Sequence, residues 1–117
     1  MMKLMPPWPP TANTHWRNVN GRTLLSKKGR EYRAEVMIRC ANKGRIEKRC
    51  RVDIEAFPPD KRKRDVDNIL KPVLDALQSA GVLADDNLVR ELRTVFHDDQ
   101  AKKPGWLWVN IEEFCST

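Results

Sequence analysis

Cys50-Arg51-Val52-Asp53-Ile54-Glu55-Ala56-Phe57-Pro58-Pro59 decides the fold of this chain. Cys50, Val52, Ile54 and Ala56 alternate with Arg51, Asp53 and Glu55, and a period of two puts each set on one face of a half-buried strand. The reading carries that strand back to Arg45 and closes it at Pro58-Pro59, because proline donates no ladder hydrogen bond. Beyond it, from about Asn68 to Ala80, Ile69, Leu70, Val73, Leu74, Leu77 and Ala80 recur at helical spacing. Gly81 supplies the stop. Pro72 is expected within the first turn, where it forfeits at most one helical hydrogen bond.

Upstream, Ser26 can cap a helix running to about Asn42, with Gly44 beyond it. Tyr32, Val36 and Cys40 form its apolar stripe, with Met37 and Ala41 beside them. Lys27, Arg30 and Arg33 follow three apart on another face, a row that can lie along phosphates. Residues 11–25 are polar and read as a loop. Leu4 to Pro10 holds four prolines and reads as an edge strand or polyproline-like segment, with Trp8 packed on the domain. Downstream, Leu88–Phe96 and Trp106–Glu112 read as strands, Leu107, Val109 and Ile111 opposing Trp106 and Trp108. The order strand, helix, strand, helix, strand, strand predicts one α+β domain over residues 1–117, a small mixed sheet with two main helices.

Bulk properties restrict the function classes. The chain has 117 residues, a net charge of +6, and no apolar run of the 18 or so residues that span a bilayer. The first residues show no signal-peptide pattern, so the cytoplasm is the expected compartment. Cys40, Cys50 and Cys115 lack C-x-x-C spacing, which argues against zinc or a disulfide framework and for reduced thiols. Charge is lopsided: residues 1–51 carry 13 basic and 3 acidic side chains, residues 52–117 carry 9 basic and 13 acidic. A polyanion is attracted to the first half, while carboxylates gather in the second.

Those carboxylates cluster where ordered structure changes. Asp65 and Asp67 follow the basic run Lys61, Arg62, Lys63 and Arg64, and in an extended segment they point the same way. Asp85 and Asp86 lie just past the far end of the same helix, and a chain that folds back could bring one of them to the first pair. Hard oxygen donors of this kind suit Mg²⁺, which supports phosphodiester hydrolysis. Lys71, four residues after Asp67, is placed to offset charge on the transition state. Each piece has a plainer reading as a helix cap, a turn or a solvated run; the adjacency of four cations to two acids favours the chemical one. His15 and His97 have no spaced partner, and His97-Asp98-Asp99 reads as a strand end with a solvated turn.

Arg62 through Lys71, Leu74-Asp75-Ala76-Leu77, Ala80-Gly81 and Asp85-Asp86 together resemble the RusA family of Holliday junction resolvases. So do Pro7-Trp8-Pro9-Pro10 with Asn13 and Arg17, and Ser26 through Arg33. The resemblance implies an α+β fold and Mg²⁺-dependent cutting of four-way junction DNA by a homodimer, with no membrane or organic cofactor. It carries metal-binding roles to Asp65, Asp67 and Asp86, and a catalytic role to Lys71. Thr11, where the family commonly has Ser, and Pro72, directly after the lysine, depart from the pattern. A phage or prophage origin is expected. The runner-up is a catalytically silent DNA-binding protein using the basic first half; a phosphatase of small substrates would have no need of that surface.

Overall fold

The computed structural model describes residues 1–114. Its strands are β1 (Met2–Leu4), β2 (Trp16–Val19), β3 (Arg22–Leu25), β4 (Cys50–Phe57), β5 (Val89–Phe96) and β6 (Trp106–Glu113). Its α-helices are α1 (Ala12–His15), α2 (Lys27–Arg39) and α3 (Asp67–Ser79). The main sheet has the order β1-β6-β4-β5, and β2 with β3 forms a separate hairpin. Central β4 runs antiparallel to β6 but parallel to β5. The mixed sheet of an α+β domain is therefore present.

The alternation in β4 is borne out. Cys50, Val52, Ile54 and Ala56 are fully buried, and Leu107, Val109 and Ile111 of β6 lie beside them. Ile69, Val73, Ala76 and Leu77 of α3 and Tyr32, Val36 and Cys40 of α2 cover that face. Burying such a surface is what makes α3 a helix in this context, since a thirteen-residue segment with proline inside gains little from propensity alone. Parallel strands cannot be joined by a tight turn, so α3 is the crossover between β4 and β5. It leaves from the carboxyl end of β4 and returns to the amino end of β5, at opposite ends of the sheet.

Local signals held with some shifts. Ser26 caps α2 by accepting from the Gly29 N–H at 3.0 Å. The helix ends at Arg39 rather than near Asn42, where the backbone turns left-handed at φ 64°. Met37 is 51% exposed, so it stands off the apolar stripe. Ala41 is exposed as well. Pro72 sits in the second turn of α3, not the first; it is buried, and the helix continues through it with one bond missing. Past Ser79, the N–H of Gly81 reaches the carbonyl of Gln78 and that of Val82 reaches Leu77, closing the end as a Schellman motif.

Residues 11–25 are not a loop but α1 followed by the β2–β3 hairpin. Asn20 and Gly21, at φ 51° and 76°, form the two-residue turn between these strands. Asn-Gly between paired strands is the strongest short-range hairpin signal, and it stood in the sequence. The edge strand β1 against β6 ends at Leu4, so of the expected segment Leu4–Pro10 only Leu4 lies in it; Pro7 makes an isolated bridge to Trp106, and its carbonyl accepts the Tyr32 hydroxyl at 2.8 Å. Cys40 and Cys50 are unbridged and buried, and burial pushes both thiols up. Cys115 lies outside the described residues. Among those described, no helix is long and apolar enough to cross a membrane.

One polar knot joins the three helices. His15 is fully buried, and its Nε2 lies 2.8 Å from Asp75 Oδ2. Arg33 donates to the same carboxylate through Nε at 2.8 Å and Nη2 at 2.7 Å. Burial pushes the Asp75 carboxyl up, but hydrogen bonds from Arg33 and His15 outweigh this and hold it below its ordinary value. A carboxyl lowered in the folded state contributes stability above its unfolded value and loses it as pH falls through the folded one. We expect Asp75→Ala to lower unfolding free energy in urea by about 2–3 kcal/mol, the scale of charge-assisted hydrogen bonds left without a partner. Asp75→Asn should flatten the loss of stability below about pH 3.9, where the wild type sheds this contribution.

Candidate active site

At Pro58-Pro59 the ladder stops, and the chain enters the basic run at the carboxyl end of β4. The Lys102 N–H donates to the Pro58 carbonyl at 2.9 Å, tying this corner to the loop before β6. Asp60 then organises the run. Its Oδ1 accepts the backbone N–H of Arg62 at 3.0 Å, an Asx turn of the sort aspartate favours. Arg62 Nε lies 3.2 Å from Oδ2, and Arg64 Nη2 lies 2.8 Å from Oδ1. The Arg62 N–H, with the two guanidiniums behind it, lowers the Asp60 carboxyl to about 2.

Arg64 is held on a further side. Its Nη1 donates to the carbonyls of Asp60 and Arg62, and its Cζ lies 5.5 Å from the centroid of the Trp8 ring. That distance is within cation–π range. Trp8 in turn meets Phe96 of β5 edge-on, with centroids 5.8 Å apart. The expected packing of Trp8 on the domain is thus present, and the ring carries an arginine on its outer side.

A cleft of about 790 Å³ opens here, lined by Trp8, Thr11, the four cations Lys61 to Arg64, Asp65, Asn68, Ile69 and Asp98. Its size suits a small organic group or a nucleotide. It lies beyond the carboxyl ends of the parallel pair, because Asp65 follows β4 and Asp98 follows β5. Open α/β units bind ligands at that end. Asp98, read from sequence as part of a solvated turn, therefore faces the same space as Asp65.

The expected acids do not meet within one chain. Val66 has φ −57° and ψ −40°, so Asp65 and Asp67 sit on a helical turn rather than an extended segment. Asp65 stands just before the helix and Asp67 opens it, so the alignment expected of an extended segment does not apply to the pair. Asp67 and Lys71 are exposed and do not line the cleft. Asp86 opens a 3-10 turn, Asp86–Leu88, and its N–H donates to Gln78 Oε1 at 2.9 Å, at the far end of α3. Asp67 and Gln78 are separated by about 16 Å of helix axis at 1.5 Å per residue. Among the described residues no three His, Cys, Asp or Glu side chains are grouped to hold a metal ion. The fold-back reading is corrected: a parallel crossover forbids it. Asp85 is occupied as a cap, its Oδ1 accepting the Asn87 N–H at 2.9 Å.

The basic row on α2 is also altered. Lys27 and Arg30 are exposed, Lys27 standing 4.0 Å from Glu31. Arg33 is not free to lie along phosphates, since its guanidinium clamps Asp75. In contrast, Asp65, Asp67, Asp86 and Lys71 form no ion pair among the described residues. Carboxylates without a counter-charge can take a cation, although Asp98 and Asp99 share that lack of an ion pair among the described residues.

The sequence profile described as "Endodeoxyribonuclease RusA" matches residues 7–111. The chain belongs to the RusA family. A crossover junction endodeoxyribonuclease of Enterobacteria phage HK97 is 40% identical over 92 residues, covering 76% of this chain and 77% of the relative. Similarly named proteins of Escherichia coli strain K12 and Shigella sonnei are each 38% identical over 99 residues, with the same coverage. For this RusA-family chain, the hydrogen bond that Gln78 accepts from the Asp86 N–H can be removed selectively. In Gln78→Ala the Asp86 amide should exchange about fivefold faster by NMR, the worth of one ordinary hydrogen bond, with unfolding otherwise little changed.

Proposed function

We propose that the chain is a Mg²⁺-dependent, structure-selective endodeoxyribonuclease that resolves Holliday junctions by paired symmetric nicks, in DNA recombination and repair. The observation that carries this is the cleft at the carboxyl end of β4, where a basic run meets Asp65 in a RusA-family chain. The names of the phage and bacterial relatives support the substrate, and they support residence in the bacterial cytoplasm with a phage or prophage origin. Residues 1–117 act as one domain on this reading.

The donor chemistry fits the ion. Carboxylate oxygens are hard ligands, and Mg²⁺ needs only one or two of them with waters and a substrate phosphate. Asp65 and Asp67 are the ligands at one end of α3, and Asp86 of the partner subunit completes the set in a homodimer. Symmetry supports this: a two-fold interface gives each copy's Asp86 to the other's cleft and creates two like sites, one for each strand cut. When bound, Mg²⁺ supplies Lewis acidity to the scissile phosphate and eases deprotonation of the attacking water.

The chain's own groups do the rest. Lys61, Arg62, Lys63 and Arg64 attract the phosphate to acids that would otherwise repel it, and Lys27 and Arg30 extend that surface. Lys71, one turn past Asp67, offsets the charge that builds on the phosphoryl oxygens. Water attacks phosphorus, the bond to the 3′ oxygen breaks and that oxygen is protonated, leaving 5′-phosphate and 3′-hydroxyl ends. The runner-up, a silent DNA-binding protein, predicts binding without cleavage.

A mixing experiment tests both activity and site. Asp67→Asn and Asp86→Asn should each bind a synthetic four-way junction in Mg²⁺ yet cut it at least 100-fold more slowly than wild type, on the scale of lost metal ligation. Unfolded and refolded together, the two variants should regain single nicks, because each mixed dimer rebuilds one intact site. Sites contained within one chain would leave the mixture dead. Cutting by the wild type in EDTA, or no cutting in Mg²⁺, would overturn the metal-dependent nuclease.

A further inference from the structure

We infer that Asp60 is a positioning residue for junction binding: it holds Arg62 and Arg64 in a preformed pair that takes one DNA phosphate at the rim of the cleft. The inference rests on the proposed junction-binding activity and adds to it a carboxylate that does not touch substrate.

The geometry is specific. One carboxylate receives three groups: the backbone N–H of Arg62, the Arg62 guanidinium with Nη2 at 3.1 Å, and Arg64 Nη2 at 2.8 Å. Arg64 is further fixed by two carbonyls and the Trp8 face, so its side chain is only 18% exposed. Arg62 is 84% exposed, and Asp60 is what restrains it. Lys61 and Lys63, on either side of Arg62, make no ion pair among the described residues. Two arginines and one aspartate leave a net positive charge at the cleft rim, and each guanidinium keeps N–H donors beyond those engaged by Asp60 and the two carbonyls. A guanidinium already ordered loses less freedom when it meets phosphate than a mobile one does. The Arg62 N–H and the two guanidiniums hold the Asp60 carboxyl low, so it stays charged throughout the neutral range.

Bulk electrostatics predicts the opposite sign, which makes the inference testable. Removing an acid from a basic surface, by charge alone, strengthens DNA binding. If Asp60 positions the arginines, Asp60→Ala weakens it. We expect the junction Kd of Asp60→Ala to rise about fivefold to tenfold from the renewed cost of ordering two long side chains. Single-turnover cleavage at saturating junction should stay within about twofold, since this loss falls on binding rather than on the reacting groups. Asp60→Asn, which keeps an acceptor for the Arg62 N–H, should fall between. In an Arg64→Ala background, the further change to Asp60→Ala should cost markedly less than it does alone, because the two share one interaction.

The measurement is fluorescence anisotropy of a labelled four-way junction in Ca²⁺, with cleavage followed in Mg²⁺ and thermal unfolding of each variant recorded alongside. Unchanged or tighter binding by Asp60→Ala overturns the inference while leaving the nuclease reading intact. A wild type that does not bind the junction overturns both. Should Asp60→Ala fail to fold, Asp60→Asn decides by the same sign: weaker binding supports positioning, and equal or tighter binding removes it.

Discussion

The parallel pairing of β4 with β5 governs this molecule. Two parallel neighbours require a crossover, and the chain spends α3 on it. One face of that helix must be apolar to cover the sheet, and Ile69, Val73, Ala76 and Leu77 meet the requirement. Its two ends are then carried to opposite ends of the strands. Asp65 and the basic run fall at the carboxyl end of β4, while Asp86 falls where β5 begins. The same constraint that creates a cleft over the strand ends also denies that cleft one of its expected acids. On the proposed homodimer, a second copy would supply that acid.

Charged side chains do two different jobs here, and their surroundings separate them. Asp75 and Asp60 each gather arginines, and each carboxyl is held below its ordinary value. The first is an internal fastener: it draws α1 and α2 onto α3 through His15 and Arg33. The second is at the surface and shapes a loop. Asp65, Asp67 and Asp86 have no such partners among the described residues, and Asp86 stands at the far end of α3 from the other two. On the proposed reading, these three carboxylates are left to a metal ion.

Much of this was legible from residue order. A strict period of two in β4 and a helical period in α3 reveal themselves because each buries one face against the same core. The Ser26 cap and the closing turn at Gly81 act over three or four residues, within reach of local reading. What was not legible depended on distance along the chain. Arg33 looked like one of three cations on a helix face, and its partner lies 42 residues away. His15 looked isolated, with Asp75 60 residues on. The β2–β3 hairpin is a different case: Asn20-Gly21 announced it, and the polar residues around it obscured the pairing. The separation of Asp86 from Asp65 could have been foreseen too, had the second strand been recognised as parallel.

The length of α3 then acquires a meaning beyond packing. On a two-copy site, each helix links its own chain's half of one centre to its contribution to the other. A rigid thirteen-residue helix spans about 20 Å, close to the width of a DNA duplex. On the proposed homodimer it would act as a ruler, setting how far apart the two cutting points stand. An insertion of one turn would move them by about 5.4 Å while the core periodicity was nearly preserved. Folding would tolerate such a change better than the paired geometry would. The sheet beneath holds the crossover helix to its length, and on the proposed homodimer the spacing of the substrate's strands would hold it as well.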